Sequence, residues 1–274
     1  TEGALTLTAQ WTANSYTVKF DGNGAEGTMA DQSFTYDVEQ ALTANGFTKT
    51  GYTFAGWKLD DTTYEDGATV KNLATEGALT LTAQWTANSY TVKFDGNGAE
   101  GTMADQSFTY DVEQALTANG FTKTGYTFAG WKLDDTTYED GATVKNLATE
   151  GALTLTAQWT ANSYTVKFDG NGAEGTMADQ SFTYDVEQAL TANGFTKTGY
   201  TFAGWKLDDT TYEDGATVKN LATSGEITLI AQWTAIKKDD GASTGDSGII
   251  AWGAAMPVAV LAAAYVIGRK KREE

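Results

Sequence analysis

Alternation of apolar and polar residues marks the first readable element. Tyr16, Val18 and Phe20 alternate with Thr17, Lys19 and Asp21, the period of a half-buried strand. Residues 21–27 (DGNGAEG) tolerate positive φ and read as a turn. A second strand follows, with Phe34 and Tyr36 in phase. Asp37 then reads as a helix N-cap with Gln40 as its capping-box partner. Val38, Ala41, Leu42 and Asn45 fall at helical spacing, so a short helix is expected over 38–45, stopped by Asn45-Gly46. Residues 51–57 (GYTFAGW) predict a third strand. Tyr52 and Phe54 share a face there, Trp57 is one residue out of phase, and a bulge at Gly56 brings the indole back to the core side. Residues 60–67 read as an acidic loop and 70–74 as one helical turn. Leu79, Leu81, Ala83 and Trp85 alternate with Thr80, Thr82 and Gln84 in a last strand. Phe20, Phe54, Trp57 and Trp85 are the expected structural core.

This pattern recurs with a period of 74 residues. Trp11, Trp85, Trp159 and Trp233 mark it, and residues 12–75, 86–149 and 160–223 are identical. So long a period suits a string of small domains better than the units of a solenoid. The expected organisation is residues 1–11 as the last strand of a truncated repeat, then repeats at 12–85, 86–159 and 160–233. A polar linker over 234–248, a transmembrane helix over 249–268 and a basic cytoplasmic tail over 269–274 follow. The start in a closing strand, with no initiator Met and no signal-peptide pattern, reads as a fragment. Each repeat has the order β-β-α-β-β, with one helix to cover one face of a mixed sheet. The predicted fold class is therefore α+β, as tandem small β-grasp-like (ubiquitin-like) domains plus a C-terminal transmembrane helix.

Composition narrows the chemistry. The 274 residues contain no Cys and no His, which removes Cys/His zinc sites, Ser-His-Asp and Cys-His nucleophile pairs, and disulfides. The net charge of −18 comes from the repeats, each with six Asp, four Glu and four Lys. So acidic a surface repels phosphate backbones, and no nucleic-acid partner is expected. Residues 21–26 begin like a calcium loop, but Ala25, Glu26 and Gln32 stand where the EF-hand pattern wants Asp or Asn, Gly and Glu. Asp60-Asp61 and Glu65-Asp66 are a weaker candidate for Ca²⁺. The reading is no metal site, no catalytic residue and no cofactor.

The blocks YTVKFDGNG (16–24), GYTFAGW (51–57) and LTLTAQW (79–85) together resemble the Listeria–Bacteroides repeat, also called the internalin B-repeat. Ala25 stands where a second Gly is common, and 43–50 lacks the proline often found before GYTF; both fall in loops. The resemblance implies a β-grasp-like fold, tandem arrays on bacterial surface proteins, and no catalytic residues.

In the tail, residues 249–267 carry no charge and span about 28 Å as a helix, close to a bilayer core of about 30 Å. Arg269, Lys270, Lys271 and Arg272 follow as a membrane stop, which places the repeats outside by the positive-inside rule. Residues 241–245 (GASTG) ahead of this stretch resemble a degenerate Gram-positive cell-wall sorting signal. Thr244 and Gly245 match its cleavage pair, while the Leu and Pro are missing. The resemblance implies sortase attachment to peptidoglycan. Together these features predict a cell-surface protein, membrane- or wall-anchored, with the membrane as a single-span partner. The expected role is a non-enzymatic extracellular stalk that projects an N-terminal domain. The alternative is a multivalent adhesin whose repeats bind a host protein or glycan directly.

Overall fold

The computed structural model describes residues 3–237. Each repeat folds as seven strands around its own apolar core. In the first repeat these are β1 (Ser15–Asp21), β2 (Gln32–Thr35), β3 (Gln40–Ala41), β4 (Tyr52–Leu59), β5 (Thr62–Tyr64), β6 (Thr69–Val70) and β7 (Gly77–Ala87). The second and third repeats supply the equivalent strands β8–β14 and β15–β21. Five strands form a mixed sheet in the order β2-β1-β7-β4-β5, and β3 pairs with β6 as a separate two-stranded ribbon.

The closing strand β7 takes the centre of the sheet. It runs parallel to β1, with Val18 opposite Leu79 and Phe20 opposite Leu81. On its other side it runs antiparallel to β4, with Phe54 opposite Trp85 and Trp57 opposite Ala83. The alternation read from the sequence places one face of all these strands inward. Tyr16, Val18, Phe34, Trp57, Leu81 and Ala83 are buried on that face, and Leu42, Phe47 and Val70 close the core over it.

Trp57 reaches the core through the expected bulge, since the β4–β7 register shifts between Phe54 and Gly56. Gly56 has φ +128°, and a Cβ there would lie 2.6 Å from the Tyr64 carbonyl oxygen, so only glycine fits. The Phe20, Phe54 and Phe47 rings lie 4.8, 5.0 and 6.1 Å from the indole, centroid to centroid. The Trp57 indole N–H finds no hydrogen-bond acceptor despite full burial. The Trp85 indole N–H instead donates to the Gly22 carbonyl at 2.9 Å, tying the end of β7 to the turn after β1. Phe20, Phe54 and Trp85 are half-buried against the core, and Trp57 is fully inside it.

The expected helix over 38–45 does not form, and no helix occurs among the described residues. The α+β, β-grasp-like class is thereby corrected to all-β. Asp37 has φ +64°, incompatible with the extended backbone of an N-cap. Gln40 and Ala41 pair with Val70 and Thr69, and the Leu42 N–H donates to the Ala68 carbonyl at 2.9 Å. Eight residues are too few for a helix to be stable without tertiary support. The ribbon buries Leu42 while leaving Val38 49% exposed, so the helical apolar stripe has no face to cover. The helical turn expected over 70–74 is replaced by β6 and by Asn72 in the left-handed region, at φ +57°. The loop expected over 60–67 contains β5, which forms a hairpin with β4. The transmembrane helix expected over 249–268 lies outside the described residues. Among those described, no helix is long and apolar enough to cross a membrane.

Gly56→Ala is expected to cost about 1–3 kcal/mol, the usual scale for a non-glycine residue forced into a strained backbone. In denaturant unfolding of the whole chain, the transition should then begin at lower denaturant than in the parent. A wild-type profile would refute the bulge.

Candidate functional site at the repeat junctions

Asn88 is the one residue between β7 and the next opening strand, β8 (Ser89–Asp95), and the chain passes from sheet to sheet through it. Its N–H donates to the Gly51 carbonyl at 2.9 Å, and its carbonyl accepts the Tyr110 N–H at 2.8 Å. Its side-chain oxygen accepts the Thr53 hydroxyl at 2.6 Å. One residue is thus bonded to the repeats on both sides.

Around it, Gly51 and Tyr52 of one repeat pack on Tyr110 and Asp111 of the next. The Tyr52 and Tyr110 rings meet edge to face at 5.8 Å. Gly51, at φ +76°, lies so close to the Tyr110 ring that a Cβ would sit 2.3 Å from it. The Tyr52 hydroxyl donates to Asp111 Oδ2 at 2.8 Å. Asp111 is held in turn by Asn146, whose Nδ2 donates to Oδ1 at 2.8 Å and whose Oδ1 accepts the Asp111 N–H at 2.6 Å. Lys145 stands 3.7 Å from the same carboxylate, and Lys49 lies 4.8 Å over the Tyr52 ring.

The second junction repeats these contacts. Tyr126 donates to Asp185 at 2.8 Å and meets Tyr184 at 5.7 Å, and Asn162 bonds Gly125, Tyr184 and Thr127. Among the described residues, nothing covers the equivalent face of the third repeat. Gly199 has no neighbour within 4 Å of its Cβ position, and Tyr200 is 43% exposed. In sequence, Ile236 takes the position that the junction asparagine holds one period earlier, at 162.

The electrostatics follow from the hydrogen bonds. The Asn146 amide, then the Tyr52 hydroxyl, hold the Asp111 carboxyl below its ordinary 3.8, against partial desolvation. The bond to that carboxylate, reinforced by desolvation and by the charge itself, raises the Tyr52 phenol above 10.0. Asp185 and Tyr126 are shifted in the same directions by the same causes.

Sequence reasoning missed this site because its residues carry other plausible readings: Asp37, the counterpart of Asp111, reads as a helix cap, and Tyr36 as the end of a strand. The usable signal was Asn at 14, 88 and 162 giving way to Ile236. The acidic candidates serve structure instead. Asp66 accepts the Asn45 N–H at 2.7 Å, Asp21 accepts the Asn23 N–H at 2.9 Å, and Asp60 turns the β4–β5 hairpin at φ +52°. Among the described residues no group of three acidic side chains is gathered as a metal would require. Thr244, Gly245 and Arg269 to Arg272 lie outside the described residues.

Coupling between repeats should depend on pH with a definite sign. A depressed carboxyl stabilises above its ordinary value, and that contribution is lost as pH falls through the lower folded value. A raised phenol stabilises below 10.0, and its contribution is lost as pH rises through the higher folded value. Coupling between neighbouring repeats should therefore be tighter at neutrality than at a pH below the lowered Asp111 and Asp185 values. The double variant Tyr52→Phe, Tyr126→Phe should weaken coupling at neutral pH and show a smaller alkaline change than the parent. An unchanged alkaline response in that variant would contradict the assignment.

Comparison with known proteins agrees with this repeated architecture. The Listeria–Bacteroides repeat domain matches residues 16–84, 90–158 and 164–232. A protein of Evansella cellulosilytica described as "Putative Gly-rich membrane protein" is 30% identical over 237 residues, covering 83% of this chain and 26% of that protein. A second from the same organism, "Putative membrane protein", is 29% identical over 238 residues, 84% of this chain and 34% of the relative. "Internalin H" of Listeria monocytogenes is 37% identical over 181 residues, 63% of this chain and 30% of its own length. The chain spans about a quarter to a third of these relatives. With three matched repeats over most of its length, the chain belongs to the Listeria–Bacteroides repeat family.

Proposed function

We propose that this chain is a non-enzymatic spacer of a bacterial cell-surface protein. Its repeats set the distance between the surface and whatever the rest of the protein presents. The observation that carries the reading is the junction, in which one residue, Asn88 or Asn162, is hydrogen-bonded to both neighbours and a tyrosine of one repeat is seated on the next. A flexible tether has no use for such contacts, whereas a spacer depends on them. The surface location is supported by relatives described as membrane proteins and as an internalin. The role needs no cofactor and no reacting group.

The experiment measures spread rather than binding. The chain has no native cysteine, so Glu39→Cys and Glu187→Cys place spin labels on the first and third repeats without background. The label-to-label distance should be narrowly distributed. Introducing Gly51→Ala and Gly125→Ala should broaden it, because each added Cβ collides with the facing tyrosine. A broad distribution in the parent chain would rule out a spacer of fixed length. If immobilised repeats bound a glycan or host protein with affinity rising by copy number, the adhesin role would take its place.

A further inference from the structure

Two tyrosine rings meet at each formed junction. Tyr52 and Tyr110 stand edge to face with centroids 5.8 Å apart, and Tyr126 and Tyr184 at 5.7 Å, within the usual range of aromatic contact. The chain has 13 tyrosines, yet among the described residues these are the tyrosine–tyrosine contacts. The ring edge that Tyr110 turns to the corner includes Cε1, a carbon ortho to its hydroxyl, since Cδ1 and Cε1 are among the atoms nearest the Cβ position of Gly51. Gly125 meets Cδ1 and Cε1 of Tyr184 in the same way. With no side chain at 51 or 125, the corner brings its backbone, and so its tyrosine, close to that edge.

The hydroxyl side of the pair is equipped for oxidation. Tyr52 donates to Asp111 Oδ2 and Tyr126 to Asp185 Oδ2, each at 2.8 Å. A phenol that loses an electron becomes a strong acid, and a carboxylate within hydrogen-bond reach takes its proton in the same event. The bonds from Asn146 and Tyr52 hold the Asp111 carboxyl below its ordinary value, so it is ionised at neutral pH and ready to accept. Lys49, 4.8 Å over the Tyr52 ring, opposes a charged radical there but not the neutral one left after proton transfer. The chain has no cysteine to consume an oxidant first.

We propose that the tyrosine pair at each junction is a site of oxidative cross-linking, which seals neighbouring repeats with a dityrosine bond. The co-reactant is an external one-electron oxidant of the haem-peroxidase class, with hydrogen peroxide as the terminal acceptor. Each phenol gives up one electron and one proton; the proton of Tyr52 passes to Asp111 and that of Tyr110 to water. The rings swing closer than their resting 5.8 Å, and the two phenoxyl radicals join through carbons ortho to their hydroxyls. The hydrogens on those carbons move to the oxygens, which restores both phenols. The pair has then lost two electrons and two protons, which reduce one hydrogen peroxide, with two further protons from water, to two waters and leave the solution neutral once the two phenolic protons are counted back. This inference rests on the junction contact alone and stands whether or not the array is a spacer.

The test exposes the full chain, in dilute solution, to a haem peroxidase and hydrogen peroxide. Dityrosine fluorescence is expected in chains that remain monomeric by denaturing electrophoresis. A tryptic peptide of residues 50–58 joined to one of 94–123 should weigh two hydrogens less than the two apart. Methionine oxidation adds mass instead, so the two reactions are separable. Because the repeats yield identical peptides, variants assign the pairs. Tyr52→Phe should halve the dityrosine yield. Tyr52→Phe with Tyr126→Phe, or Tyr110→Phe with Tyr184→Phe, should abolish it. Asp111→Asn with Asp185→Asn should slow linking at neutral pH. The fall in rate on acidification, taken relative to free tyrosine under the same oxidant, should be present in the parent and absent from that variant. No link within monomers, links confined to separate chains, or an undiminished yield in either double Phe variant would overturn the proposal. An acid response retained by the Asn variant would overturn the role of the carboxylates as proton acceptors.

Discussion

Everything in a repeat depends on where its last strand goes. β7 is the final segment made, yet it lies at the middle of the sheet, between the opening strand and β4. Until it inserts, β1 and β4 have no common neighbour, and Val18, Phe20, Phe54 and Trp57 lack the residues they face. Contacts of such sequence separation are costly in loop entropy and are made late or all at once. The repeat is thus a closed unit that a single strand completes. The Trp85 indole on the Gly22 carbonyl fastens that strand to the first turn.

The same strand joins the repeats. β7 runs on through Asn88 into the next opening strand, so the end of one sheet and the start of the next share a residue whose backbone N–H is bonded to one repeat and whose carbonyl is bonded to the other. The tyrosine–aspartate contact beside it orients the two units, and the glycine at position 51 exists because the facing ring leaves no room for a side chain. Packing here is specific rather than extensive, which suits a joint that must be copied unchanged at every period.

The strands were legible in the sequence and the cover over them was not. Tyr16, Val18 and Phe20, and Leu79 to Trp85, alternate with period two because one face is buried and the other wet, a direct imprint of burial on sequence. The Gly56 bulge was also readable, since Trp57 falls out of phase with Phe54 and glycine marks the place where phase is regained. The segment 38–45 misled because capping and spacing signals are local, while its backbone bonds are made to residues 68–70 far along the chain. Asp37 illustrates this best: a cap-like residue before an apolar run, it takes a left-handed backbone and bonds Asn72. The junction was hidden for a different reason. Identity among repeats shows which residues recur but not which of them face a neighbour. The change from Asn to Ile at 236 is one of the few places where a junction position departs from its copies.

The parallel pairing of β1 with β7 has a mechanical meaning. The chain enters a repeat at the start of β1 and leaves it at the end of β7, which are opposite ends of adjacent parallel strands. Tension along the array therefore pulls these strands lengthwise past one another. The registered pairs from Tyr16–Gly77 to Asp21–Thr82 then bear the load together, in shear, instead of opening one after another like a zipper. Resistance to pulling is set by the barrier to unfolding rather than by the equilibrium stability of the domain. A small domain without disulfides can in this geometry hold a load that its modest core alone would not suggest.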